Sequence, residues 1–549
     1  MRESQHCRLK LLAVAAVILG LKLTLMLPPA GAAAAGSSPR TAAEPCVIRD
    51  TAGAPVQVNG DALAKLLLAG GPCPADVFEF RSRLAASGAT IRTTLVANRG
   101  FHDPKKDPGA MHFMMFEMVT GRLGPAAAEV GDGEFFFGHF TAVKGAATLF
   151  ADQRPSSGAL MVELIAFDPS KGVFNFYELI GDGRIGRWFY RGDSLDIQSD
   201  VKLLHRQADP GRPQFGTRLR CSGCHTGGGP IMKELALPHN DWSTAERTLT
   251  FGGLKPDAAL AAILKGAVDA DELAKGVRAG ASRLAESGRF RQALRALPLQ
   301  EKLRPLFCPV EVNIESDAKP LDEGAAVLQV PSAFFVSPLF AQVPMQVRRA
   351  DYDAALMAAR ASFPETARAD ADHGWLTPVK GFSDMLAVAA LVKDGIVDQE
   401  FVGDVLAVDM TNPSLSPGRC SLLRLLPGDE KAGWQEAFKV SLRAEAGRVA
   451  AAQELLSNLT DPARDMRFHQ ARAARILQST QARLKERDAV VALYGLLAQR
   501  RAEVFASEIS KNRQGQILEP GFRVIFPKVT PAARVGGLSL TDTGQLARQ

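Results

Sequence analysis

Long apolar runs, internal repeats and clustered charge are all missing from this 549-residue chain. After residue 21 no segment approaches 18 uninterrupted apolar residues, so no stable membrane span is expected in the mature chain. No unit of the length used by solenoids or propellers recurs. No basic run is interleaved with aromatics, so nucleic acid is not an expected partner. There is no second C-x-x-C and no H-x-x-x-H, which leaves a four-ligand structural zinc site without half of its donors. What remains is an ordinary globular composition, 46% hydrophobic and 23% charged, with 49 Gly and 33 Pro. A chain this long exceeds the roughly 250–300 residues at which one core stops growing, so two or more domains are expected.

The N-terminus reads as an export signal over residues 1–32. Arg2, Arg8 and Lys10 form a basic start, and "LLAVAAVILGL" (11–21) is a short apolar stretch that Lys22 ends. Ala30-Gly31-Ala32 then offers an A-x-A cleavage site. Cys7 precedes the apolar stretch, which argues against a lipoprotein anchor. Removing residues 1–32 takes away Arg2, Arg8, Lys10, Lys22 and Glu3, and the net charge falls from +6 to +3. The expected location is the periplasm or another extracytoplasmic compartment. Cysteines there usually pair. Of the three ways to pair Cys46, Cys73, Cys308 and Cys420, Cys46–Cys73 and Cys308–Cys420 keep both partners on one side of residues 221–225.

The pattern along the chain predicts an α+β fold: a β-rich N-terminal domain, a helix that carries Cys221, Cys224 and His225, and a large, mainly helical domain. The expected divisions are 33–208, β-rich; 209–310, the cysteine motif with following helices; 311–529, mainly helical; and 530–549, an irregular tail. "DALAKLLLAGG" (61–71) predicts a helix capped by Asp61 and stopped near Gly70. Aromatic and β-branched segments at 90–98, 111–119, 134–143, 159–167, 173–179 and 186–190, separated by Gly, Asp and Pro, predict a mostly antiparallel sheet. Apolar residues at helical spacing dominate 257–297, 381–395, 430–459 and 463–507, and a mixed stretch at 309–345 predicts a few strands. "RGDS" (191–194) reads as a strand-end turn.

The chemistry is carried by "RLRCSGCHTGGG" (218–229). With 7 Cys and 9 His, C-x-x-C-H is expected by chance only ~0.0015 times per chain of this length. Three chemistries fit such a triplet: covalent haem attachment, a redox dithiol and a metal clip. On a helix Cys221, Cys224 and His225 lie at i, i+3 and i+4, on one face. That arrangement suits two thiols bonding the vinyl groups of one porphyrin edge, with an imidazole turned under the iron. The metal clip lacks partner ligands, and the dithiol gains nothing from the histidine.

"CSGCHTGGGP" resembles the attachment site of c-type cytochromes, over about residues 216–232. The resemblance implies one covalently attached haem c, bonded by Cys221 and Cys224, with His225 as the proximal iron ligand. It also implies that a nearby proline lends its carbonyl to the proximal imidazole; Pro230 is the matching residue. Electron transfer would follow, with a redox partner protein or a small-molecule electron donor or acceptor. The chain departs from small cytochromes in length and in having no Met between Met232 and Met345. The distal position is therefore open to several residues: Met345 first, then His239, with Met385, His112, His139 and His205 behind them. An unfilled distal position would instead make the protein a haem-dependent oxidoreductase of peroxidase or oxygenase type.

Overall fold

The computed structural model describes residues 44–50, 52–97, 112–124, 129–142, 160–181, 186–198, 221, 225, 227–231, 258–268, 270–315, 325–361, 375–462, 465–507, 529–530 and 536–548. The expected signal, Cys224, His205, His239 and the stretch 199–220 lie outside these residues.

An α+β fold is what the chain adopts. Its N-terminal part is a sheet of eight strands among the described residues: β1 (Ile48–Arg49), β2 (Thr90–Ala97), β3 (His112–Arg122), β4 (Glu129–Val130), β5 (Phe135–Ala142), β6 (Leu160–Asp168), β7 (Val173–Gly181) and β8 (Gly186–Asp193). The order is β1-β8-β7-β6-β5-β3-β2, with β4 paired to β3. Six consecutive long strands form an antiparallel meander, and only β1 runs parallel, beside β8. The four-residue turn at 169–172 joins β6 directly to β7, because antiparallel neighbours need no crossover.

Side chains alternate across the sheet. Tyr177, Leu179 and Trp188 join the core under α1 (Ala62–Leu68) and α2 (Val77–Ala86). Phe174 and Phe176 point to the other face, where they join Met118, Phe136 and Cys221. Asp61 caps α1 through Ala64 N–H at 2.9 Å and accepts from Tyr177 Oη and Asn175 Nδ2, tying the helix to β7. Burial pushes the Asp61 carboxyl up, and the hydrogen bonds from Tyr177, Ala64 and Asn175 oppose that.

Helices follow: α3 (Ala258–Lys265), α4 (Ala270–Glu286), α5 (Gly288–Arg295), α6 (Leu299–Phe307), α7 (Arg349–Ala359), α8 (Phe382–Lys393) and α9 (Gln399–Ala407). Five more span Pro417–Ser421, Trp434–Glu445, Ala450–Thr460, Met466–Arg483 and Arg487–Ser507. The mixed stretch supplies β9 (Val312–Glu315), β10 (Val327–Val330) and β11 (Met345–Arg348), and β12 (Thr377–Lys380) pairs with β9. A separate core built on Phe307, Phe334, Tyr352, Trp375 and Tyr494 holds this half together. Both disulfides form with the expected partners, Cys46–Cys73 and Cys308–Cys420. Among the described residues no helix is long and apolar enough to cross a membrane.

The expected irregular tail contains a hairpin instead, β13 (Leu538–Leu540) and β14 (Leu546–Arg548). Three-residue strands carry too little alternation to be read from sequence. Their order comes from elsewhere: Gln499 exchanges hydrogen bonds with the Leu538 backbone, and Thr411 Oγ1 donates to Leu540 O.

Candidate functional site

The cysteine–histidine segment lies against the second face of the sheet. His225 N donates to Cys221 O at 2.9 Å, a single helical turn that puts the two residues at i and i+4. Cys221 is 3% exposed and packs into the cluster of Met118, Phe136, Phe176 and Leu273. The His225 ring meets the Phe176 ring edge-on, with centroids 5.2 Å apart.

His225 Nδ1 lies 2.8 Å from Gly229 O. A carbonyl can only accept, so this bond fixes the hydrogen on Nδ1 and leaves the lone pair on Nε2. The partner is Gly229 and not Pro230, one residue earlier than the resemblance implies. The glycines that follow explain the difference. Gly228 holds φ +75°, and a Cβ there would stand 2.6 Å from Ser194 O. At Gly229 a Cβ would meet Leu284 Cδ2 of α4 at 3.0 Å, and Pro230 Cγ fills the space that a side chain on Gly280 would need. The segment is therefore threaded between β8's end and α4, and this close approach turns the 229 carbonyl back to the imidazole.

"RGDS" supplies the floor of that approach. Arg191 pairs with Glu178 at 2.7 Å from Nε, Asp193 Oδ1 caps the turn at 194–198 through Leu195 N, and Ser194 Oγ accepts from Phe174 N. All three residues are buried. The stretch expected as a strand-end turn is instead the last residues of β8 running directly into a helical segment at 194–198. The alternation of β7 puts Glu178 on the same face as Phe176, with Glu163 of β6 opposite it. The roles of Gly229, Phe176 and Ser194 escaped the sequence reading; the alternation in β7 gave a signal only for Phe176.

Met345 sits on β11, opposite Val330, 1% exposed within the C-terminal core and not in the cluster that holds Cys221. Met385 lies on α8, lining a smaller pocket with Ser337 and Pro413. His112 pairs with Ala142 and His139 with Met115 and Val162 in the sheet backbone. Among the described residues no three His, Cys, Asp or Glu side chains gather as a metal site.

A thioether-bound porphyrin would need a thiol and an imidazole joined by one turn in apolar surroundings, and Cys221 and His225 meet that part of the requirement.

Beside the loop, a cleft with a cavity volume of about 140 Å³ opens between α4, α5, α6 and α8. Gly227 and Gly229 form part of its wall. Its mouth is braced where Asp394, the C-cap of α8, accepts from Arg295 at 2.6 and 2.8 Å and from Arg291. The Arg295 hydrogen bond, aided by Arg291, holds the Asp394 carboxyl down at about 2. A carboxylate whose folded value is depressed stabilises the protein above its unfolded value and loses that contribution as pH falls through the folded one. The window here is roughly pH 4 to 2, and the contribution at most about 2 kcal/mol, lessened by solvent at the mouth. Asp394→Asn should therefore be less stable than wild type in urea titrations at pH 7, and the gap should close toward pH 2. A gap independent of pH would show that the brace is not ionic.

No family model, curated protein or solved structure matches this chain.

Proposed function

We propose that this chain is a mono-haem c-type cytochrome: one haem c joined through Cys221 and Cys224, with His225 on the iron, in a protein that transfers electrons. The hydrogen bond from His225 Nδ1 to Gly229 O carries the reading. It supplies what an iron-ligating imidazole needs, a fixed tautomer and a donor bond that raises its basicity. When bound, the group accepts and returns single electrons. The chain's own residues tune that exchange in opposite directions. Donation from Nδ1 enriches the imidazole and favours the oxidised metal. The apolar packing of Cys221 and Phe176 keeps water away and favours the state of lower charge.

Two disulfides support an oxidising, extracytoplasmic location such as the periplasm, where thioether maturation and disulfide formation are compatible. The electron partner is a redox protein or a small molecule.

The test is chemical. Protein produced with haem-maturation machinery should carry the mass of one haem and stain for covalent haem in a denaturing gel. Cys221→Ala with Cys224→Ala should abolish both signals. An intact mass equal to that of the bare polypeptide overturns the assignment. A ferrous spectrum unmoved by carbon monoxide supports electron transfer; a shift on adding it would make the protein an oxidoreductase with an open sixth position.

A further inference from the structure

The cleft beside the glycine loop belongs to neither member of the candidate haem site: Cys221 and His225 do not line it. Gly229 does, and its carbonyl receives the Nδ1 hydrogen, so the cleft and the imidazole share the glycine loop. Its volume of about 140 Å³ is that of a cavity able to admit a small apolar group.

Two facing helices create the space. Ala281 and Ala285 of α4 and Ala387 and Ala390 of α8 line it, and each contributes only a methyl group where a larger side chain would close the gap. Leu294 and Leu391 complete apolar walls. Such a surface left open forfeits packing energy on both sides, which an apolar occupant recovers.

The two ends of α8 differ. At its start Ser383 and Asp384 line the cleft, and Asp384 is committed to the backbone N–H groups of Val310 and Glu311. At its end stand Arg291, Arg295 and Asp394, two cations sharing one carboxylate. Arg291 Nε is buried there, and among the described residues no acceptor meets it. A buried donor in that condition favours a ligand that brings an acceptor, and a charged acceptor makes the stronger bond. The apolar stretch between the two ends spans about 15 Å of helix.

We propose that this cleft binds an apolar monocarboxylate, a medium-chain or aryl acid, with its carboxylate at Arg291 and Arg295 and its apolar body along Ala387 and Ala390. The site does not depend on the haem reading. It makes no use of Cys221 or Cys224, and a ligand bound there touches the loop that orients His225.

Calorimetric titration of the full chain with decanoate, and with 1-decanol as the uncharged comparison, tests this. Decanoate should bind saturably, one per chain, about tenfold more tightly than the alcohol, as one charge-assisted hydrogen bond would give. The same titration on Cys221→Ala with Cys224→Ala should give the same affinity, so that failure of one reading is told apart from failure of the other. Arg291→Gln should erase the preference for the acid, and Ala387→Leu with Ala390→Leu should remove binding of both compounds. Ala285→Leu, on the facing helix, is the second filling variant should α8 not tolerate the first. Absence of binding to wild type, or unchanged affinity in a filled variant of wild-type melting temperature, overturns the site. An acid preference that survives Arg291→Gln overturns the assignment of the carboxylate.

Discussion

Gly228→Ala should cost about 2–4 kcal/mol of stability and, with the proposed haem attached, strip most of it, whereas Gly227→Ala should do neither. The two positions are adjacent and the substitution is the same, so composition and helix propensity cancel. At Gly228 the backbone holds φ +75°, a conformation that a side chain disfavours by roughly 1 kcal/mol. The new methyl would also stand 2.6 Å from a backbone oxygen, Ser194 O, which has no rotamer by which to retreat. Ser194 is itself fixed by Phe174 N and by the Asp193 cap. The loop must therefore move. Gly228 N donates to His225 O, and the next residue accepts from His225 Nδ1, so a shift of the loop disturbs both. At Gly227 the nearest atom to a Cβ is Ser383 Cβ at 3.4 Å, ordinary contact. Thermal melting of unloaded protein and haem absorbance per chain after maturation report the two effects separately. Equal behaviour of the two variants would mean that the glycine loop does not orient the imidazole.

Opening the second disulfide should be the largest single loss of stability in the helical half. Cys308–Cys420 closes 112 residues, for which the loss of loop-closure entropy in the unfolded chain predicts about 4–5 kcal/mol. Cys46–Cys73 closes 27 residues, for which the same relation gives about 3–4 kcal/mol. The longer bridge also ends α6 at its C-cap and joins it to the helix at Pro417–Ser421, so the link spans elements that meet only in the tertiary fold. Cys308→Ala with Cys420→Ala should lower the urea midpoint by more than Cys46→Ala with Cys73→Ala. A loss below about 1 kcal/mol for the longer loop would show that the denatured chain is already held compact there.

Several local features were legible in advance because local chemistry dictates them. Alternating aromatic and β-branched residues in 90–98 and 173–179 match β2 and β7, since one face of each strand must reach a core. Asp61 before an apolar run became the cap of α1. The cysteine pairing followed from position relative to the motif. Other features turned on distant partners. Met345, the first of the distal candidates, is a strand residue in the C-terminal core opposite Val330.

What the sequence alone determined is therefore the inventory: an α+β order of elements, a thiol and an imidazole four residues apart, and cysteines able to pair. The tertiary structure decided which carbonyl meets His225, because that depends on how closely a side-chain-free loop can approach β8 and α4. It likewise decided that four alanines on two separate helices face one another across an open cleft. Spacing along a chain fixes which residues share an element; only packing between elements brings groups more than a hundred residues apart within hydrogen-bond reach, as Gln346 and Gln481 are.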